Sequence, residues 1–130
     1  MDTKIRNLTP HPVDFILPSG ETRTLAPDPA GPARVAETLH PVPTGEVAGI
    51  PLVQEILGEI VGLPAPVSGT ALLVSALVAT AAWTRKRTDV LAIAEFVRDP
   101  AGRVVGAKSL APHPTLGFRA GHSLSSWEQS

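Results

Sequence analysis

The chain has 130 residues, 11 basic and 12 acidic side chains and no cysteine. One domain is expected, without a disulfide framework, a Cys-based zinc site or a thiol nucleophile. Hydrophobic residues at 43% exclude disorder throughout, Pro 14 with Gly 11 argue against a long-helix bundle, and aromatics at 4% with a net charge of −1 offer little to a nucleic acid polymer or an anionic membrane.

In chain order, Ile5–Thr9 is a strand candidate stopped by Thr9-Pro10-His11-Pro12. The prolines hold Thr9 and His11 extended. Val13–Leu17 is a second strand, Pro18-Ser19-Gly20 a tight turn, and Thr22–Leu25 the returning strand of a hairpin. Ala26–Pro32 reads as loop, Ala33–Leu39 as strand and His40–Gly49 as a further Pro/Gly loop. Ile50–Val61 has apolar residues at helical spacing, but Pro51, Gly58 and its β-branched content favour two short strands with a kink near Gly58. Gly62–Gly69 is loop. Thr70–Val74 is a continuous apolar run, as expected of a central strand buried on both faces. Ser75 can cap the alanine-rich stretch that follows, which predicts the main helix over about 76–85, with Arg85-Lys86-Arg87 at its negative end. Asp89–Val97 and Val104–Leu110 form a second hairpin around the turn residues Arg98–Arg103. From Ala111 to Ser130 Pro, His, Gly and Ser dominate, with isolated Leu116, Phe118 and Trp127. The division is therefore a domain over 1–110 and a tail over 111–130, loose or docked by those few side chains.

The expected fold class is α+β: a mixed, mostly antiparallel sheet or small, partly closed barrel with one main helix packed on it. The amino-terminal residues lack the apolar core of a signal peptide, and the longest apolar run, Ala71–Trp83, falls short of the ~20 residues of a membrane span. The expectation is a cytoplasmic protein with no membrane partner. Exposed sheet edges would allow a homodimer or higher homo-oligomer.

Charge is unevenly placed. Residues 1–84 sum to −4 and residues 85–119 to +4. The basic half can serve a small anionic ligand or simply decorate solvent-facing turns. His11 lies between two prolines beside Asn7 and Thr9; the trio can hold a ligand, supply a general base, or merely secure the bend through backbone hydrogen bonds. Ser75 opens a helix, where amides can receive an anion, although simple capping is the safer account of it. Arg85, Arg87 and Arg98 carry guanidinium forks suited to phosphate or carboxylate, and Asp89 can orient an arginine or accept a ribose hydroxyl. His11, His40 and His113 each precede a proline and His122 lies in the tail, but their spacing matches no zinc signature, so no metal and no cofactor are expected. Neither a P-loop, a dinucleotide fingerprint nor Gly-x-Ser-x-Gly is present.

The segments Asn7-Leu8-Thr9-Pro10-His11-Pro12-Val13, Val74–Ala79, Arg87-Thr88-Asp89 and Val97–Gly106, with a Pro/Gly-rich middle, resemble an uncharacterised family of small proteins from actinobacteria, phages and other bacterial genomes. The likeness covers roughly residues 4–110. It implies kinship and a phage or mobile-element context, not a reaction.

These observations lead to a small-ligand-binding protein for an anionic, nucleotide-like molecule, with a phage-type role in sequestering a signal. The candidate site is Asn7, Thr9, His11, Ser75, Arg85, Arg87, Asp89 and Arg98, taken to converge if the first strand lies beside the strand ending at Val74. The alternatives are a small hydrolase or lyase using His11 as base with Arg87 or Arg98 as anion stabiliser, and a structural protein pairing through a sheet edge or the Trp127 tail.

Overall fold

The computed structural model describes residues 3–36, 38–57 and 59–121, without the side chains of 38–41 and 55–57. Its strands are β1 (Lys4–Asn7), β2 (Val13–Ile16), β3 (Thr22–Leu25), β4 (Arg34–Val35), β5 (Thr38–Val47), β6 (Ile50–Leu57), β7 (Ile60–Val61), β8 (Thr70–Leu73), β9 (Val90–Arg98) and β10 (Val104–Ala111); the helix α1 spans Ala76–Thr84. Six strands form one mixed sheet in the order β1-β8-β9-β10-β2-β3. β1, β8 and β9 run parallel, as do β10 and β2, while the hairpins β9–β10 and β2–β3 are antiparallel. With the two antiparallel ribbons β4–β7 and β5–β6, most pairings are antiparallel. The sheet curls into a nearly closed barrel. Its two ends meet where Asn7 bridges Pro27, and the Asp28 N–H donates to the Asn7 carbonyl at 2.8 Å.

The apolar run of β8 is explained by its position. Leu73 faces the barrel interior with Phe15 and Ala107, while Leu72 and Val74 face an outer layer with Leu8, Val78, Ala79, Ala82 and Val90. A strand buried on both faces has no room for alternation with polar residues. The alanines of α1 let it lie close against β9, and the β4–β7 ribbon completes this layer through Val35 and Ile60. Ser75 starts the helix in extended geometry, and its Oγ accepts the Val78 N–H at 3.4 Å. At the other end the Lys86 N–H donates to the Trp83 carbonyl and the Arg87 N–H to the Ala82 carbonyl. This is a Schellman closure, which places Lys86 in the left-handed region at φ 63.

Two expectations for the chain path are corrected. The stretch His40–Gly49, expected as loop, lies largely in β5, and the expected strand 33–39 is divided between β4 and the start of β5, with Glu37 outside the described residues. Pro41 and Pro43 are tolerated because a two-stranded ribbon has a free edge, and register shifts fall between Leu39 and Val42 and between Pro43 and Gly45. Ala48 (φ 52) and Gly49 (φ 81) turn the ribbon back, and the described side chains from 42 to 54 are all exposed. Ile50–Val61 does form two strands; the expected kink residue Gly58 lies outside the described residues.

Residues 112–121, assigned above to the tail, lie against the barrel. The Arg119 N–H donates to the Thr88 carbonyl, and Gly121 exchanges backbone bonds with Thr70 and Gly69. Gly121 is buried so closely that a Cβ there would strike the Val67 backbone. His113 packs on Trp83 with ring centroids 6.5 Å apart. Its Nδ1 faces the N–H groups of Thr115 and Leu116, which can only donate, so the proton sits on Nε2 and is given to the Trp83 carbonyl at 3.0 Å. His122 and Trp127 lie outside the described residues. No helix among the described residues is long and apolar enough to cross a membrane.

Candidate functional site

β1 does lie beside β8, with Asn7 opposite Leu73, so the loop Leu8–Pro12 and Ser75 emerge at the same end of the barrel. The helix then runs back along the barrel. Its nine residues span about 13 Å at ~1.5 Å each, and they carry Arg85, Arg87 and Asp89 to the far end, where β9 begins. The eight candidate residues therefore divide between two ends, and the expected single convergence does not occur.

At the far end each group has a structural partner. The Arg85 Nη1 donates to the Ala81 carbonyl at 2.9 Å, closing the helix. The Arg87 guanidinium grips Asp89 through two bonds of 2.9 Å and donates a third to the Pro64 carbonyl. Asp89 is 3% exposed. A fork held this way joins the 62–69 loop to the start of β9 and has little freedom to receive a ligand. The hollow beside it, lined by Lys86, Thr88 and Arg119 among others, measures only about 20 Å³.

At the near end Asn7 is the organiser. It is 2% exposed. Its Nδ2 donates to the carbonyls of His11 and Leu25, both at 2.9 Å, and its Oδ1 accepts from the Thr9 N–H at 3.0 Å and the Thr9 hydroxyl at 2.6 Å. The Thr9 Oγ1 also lies 2.9 Å from the His11 carbonyl. Asn7 and Thr9 thus shape the bend and fasten β1 to the end of β3. Next to them Arg6 holds Asp28 in a two-point contact at 2.8 and 3.2 Å. The hydrogen bond from Arg6, helped by the Ala30 N–H, holds the Asp28 carboxyl down at about 2, and the same bond raises the Arg6 guanidinium above its ordinary value.

His11 is different. Its backbone is fixed, but its ring makes no hydrogen bond among the described residues and is exposed. It lines a cleft of about 400 Å³ together with Phe96, Val104, Val105, Ile93 and Ala107. Gly106 brings β10 against β2; a Cβ there would stand 3.0 Å from the Asp14 carbonyl. Phe96 was not singled out from sequence. Ile93 pairs with Leu110 and Glu95 with Ser109, so Ala94 is an extra residue in β9, and this bulge turns Phe96, instead of Glu95, to the face of Ala107. The broken spacing of Leu91, Ile93 and Phe96 was the available signal.

Arg98 and Ser75 sit at this end outside the cleft lining. The Arg98 Nη1 donates to the Gly102 carbonyl at 2.9 Å, bracing a turn whose Asp99 accepts from Ala101 and Arg103. The Ser75 hydroxyl caps the helix. No group of three metal-ligating side chains occurs among the described residues; the side chain of His40 lies outside them. Comparison with models of protein families, with curated proteins and with solved structures found no match to this chain.

Proposed function

We propose that the protein is a small-molecule-binding module. Its ligand is nucleotide-like, with a planar ring against Phe96 and a polar or anionic end on His11. The observation supporting this reading is the contrast at His11, whose carbonyl is tied down by Asn7 and Thr9 while its imidazole faces the cleft unused. A side chain on a pre-fixed backbone loses less entropy when it engages a ligand. Phe96 is 51% exposed and offers a ring face, and Val104 and Val105 add apolar wall.

Turnover would need a second ionisable group working beside His11. Asp14 lines the cleft, with its Oδ1 accepting from the Thr24 hydroxyl at 2.6 Å, but the candidate anion stabilisers Arg87 and Arg98 are held elsewhere. Binding without cleavage, as in sequestering a nucleotide-type signal, is the reading these contacts favour. Thermal-shift measurement against nucleosides, nucleotides and cyclic nucleotides tests it. A true ligand at about 100 times its Kd stabilises by ~2.7 kcal/mol, and His11→Ala and Phe96→Ala each abolish the shift. A panel that moves no melting temperature overturns the proposal.

A further inference from the structure

The barrel is unsealed between β1 and β3. The two strands meet at one end, where Asn7 bridges Pro27 and its side chain donates to the Leu25 carbonyl; among the described residues β1 otherwise pairs with β8 and β3 with β2. The slit opens onto apolar side chains, Ile5, Phe15, Leu17, Leu25 and Leu110, around a hollow of about 240 Å³. Ile5 and Leu110 also wall a second hollow of about 330 Å³, continued by Ala71, Leu91 and Phe118. Both hollows are open to solvent, and they share Ile5 and Leu110 as a common wall.

The rim of the slit carries the opposite character. Arg23 stands across from Phe15 on the same face of the β2–β3 hairpin, and Lys108 comes from an irregularity in β10 beside Ala107. Both are exposed, and neither is in an ion pair among the described residues. No carboxylate among the described residues lines either hollow. Two cations without a counter-ion over an apolar floor are complementary to a molecule with one anionic end and a hydrocarbon body.

We infer that this slit is a second binding site, for an amphipathic carboxylate whose head lies on Arg23 and Lys108 and whose chain enters the barrel between Ile5, Leu17 and Leu25. The site is independent of the His11 cleft. It selects on two properties, charge sign at the head and apolar length in the body. Each added methylene tightens binding about threefold to fourfold until the hollow is filled.

Isothermal titration of the full chain with hexanoate, octanoate and decanoate, all below micelle formation, tests this. The expected result is saturable 1:1 binding that tightens along the series, with octanol and octylamine at least tenfold weaker than octanoate. Arg23→Glu with Lys108→Glu weakens decanoate at least tenfold and leaves the melting temperature of the free protein unchanged, because both side chains are exposed. Leu25→Trp blocks the chain's path and gives the same loss with the head intact. His11→Ala leaves decanoate binding untouched. The inference is overturned by absent saturation, by octanol matching octanoate, or by the charge-reversed variant binding as tightly as the parent.

Discussion

Replacing Asn7 with alanine removes four hydrogen bonds at one stroke from a residue only 2% exposed. The freed Thr9 hydroxyl can turn to the His11 carbonyl 2.9 Å away, but the Leu25 carbonyl loses its side-chain donor and the Thr9 N–H its acceptor. A buried group left without its partner costs about 1–3 kcal/mol; because Thr9 and Leu25 are only half-buried, two such groups place the loss in the lower part of the summed range, roughly 2–4 kcal/mol. For a domain of this size that is a fall in Tm of roughly 6–16 °C. Asn7→Asp is the sharper variant. It keeps the acceptor for Thr9 but turns a carboxylate oxygen toward two carbonyl oxygens, so at pH 7 it is at least as unstable as the alanine variant, and it recovers partly in acid as the carboxyl gains a proton. Denaturant unfolding at pH 7 and pH 3 reads both. An alanine variant within about 0.5 kcal/mol of the parent, or an aspartate variant as stable as the parent at pH 7, would refute the view that Asn7 locks the barrel seam.

Four further outcomes are expected. Lys86→Gly stabilises by about 0.5–1 kcal/mol, because glycine takes the left-handed closing position of the helix without a Cβ clash; unchanged or lower stability in urea counts against it. Asp89→Ala costs about 3–5 kcal/mol by stranding the Arg87 guanidinium, whereas Arg87→Met with Asp89→Leu recovers most of that loss; equal instability of the single and double variants contradicts the pairing. With its carboxyl at about 2 when folded against 3.8 unfolded, Asp28 contributes its full stabilisation above pH 4 and loses it as pH falls toward 2. Asp28→Asn therefore flattens the acid limb of the stability curve, and a limb as steep as the parent's would contradict the assignment. Gly121→Ala lowers Tm, since its methyl group meets the Val67 backbone; a neutral result would show that residues 112–121 do not hold the barrel as described.

Much of the fold could be read from local chemistry. The turn at Pro18-Ser19-Gly20, the cap at Ser75, the doubly buried run of β8 and the Asp99 turn each follow from a few adjacent residues, and these features lie within a residue or two of their predicted places. β5 was hidden because proline counts against a strand unless the edge is known to be free, and that depends on what else pairs with it. The site was half legible. Asn7, Thr9 and His11 do come together, but the guanidinium groups at the close of the helix, Arg85 and Arg87, cannot meet residues before it when the helix runs the length of the barrel. That distance was available from the helix length alone. Phe96 was missed because its orientation depends on one extra residue in β9.

The parallel pairing of β1 with β8 has a kinetic consequence. The hairpins β2–β3 and β9–β10 can each form from neighbouring residues, but Lys4 finds its partner only at Thr70. On the ribosome β1 must therefore wait, unpaired, until Thr70 and its neighbours have been synthesised. Closing so long a loop delays the rate-limiting contact, so refolding should be slow for a chain of 130 residues. A circular permutant that moves β1 next to β8 should refold faster than the natural order.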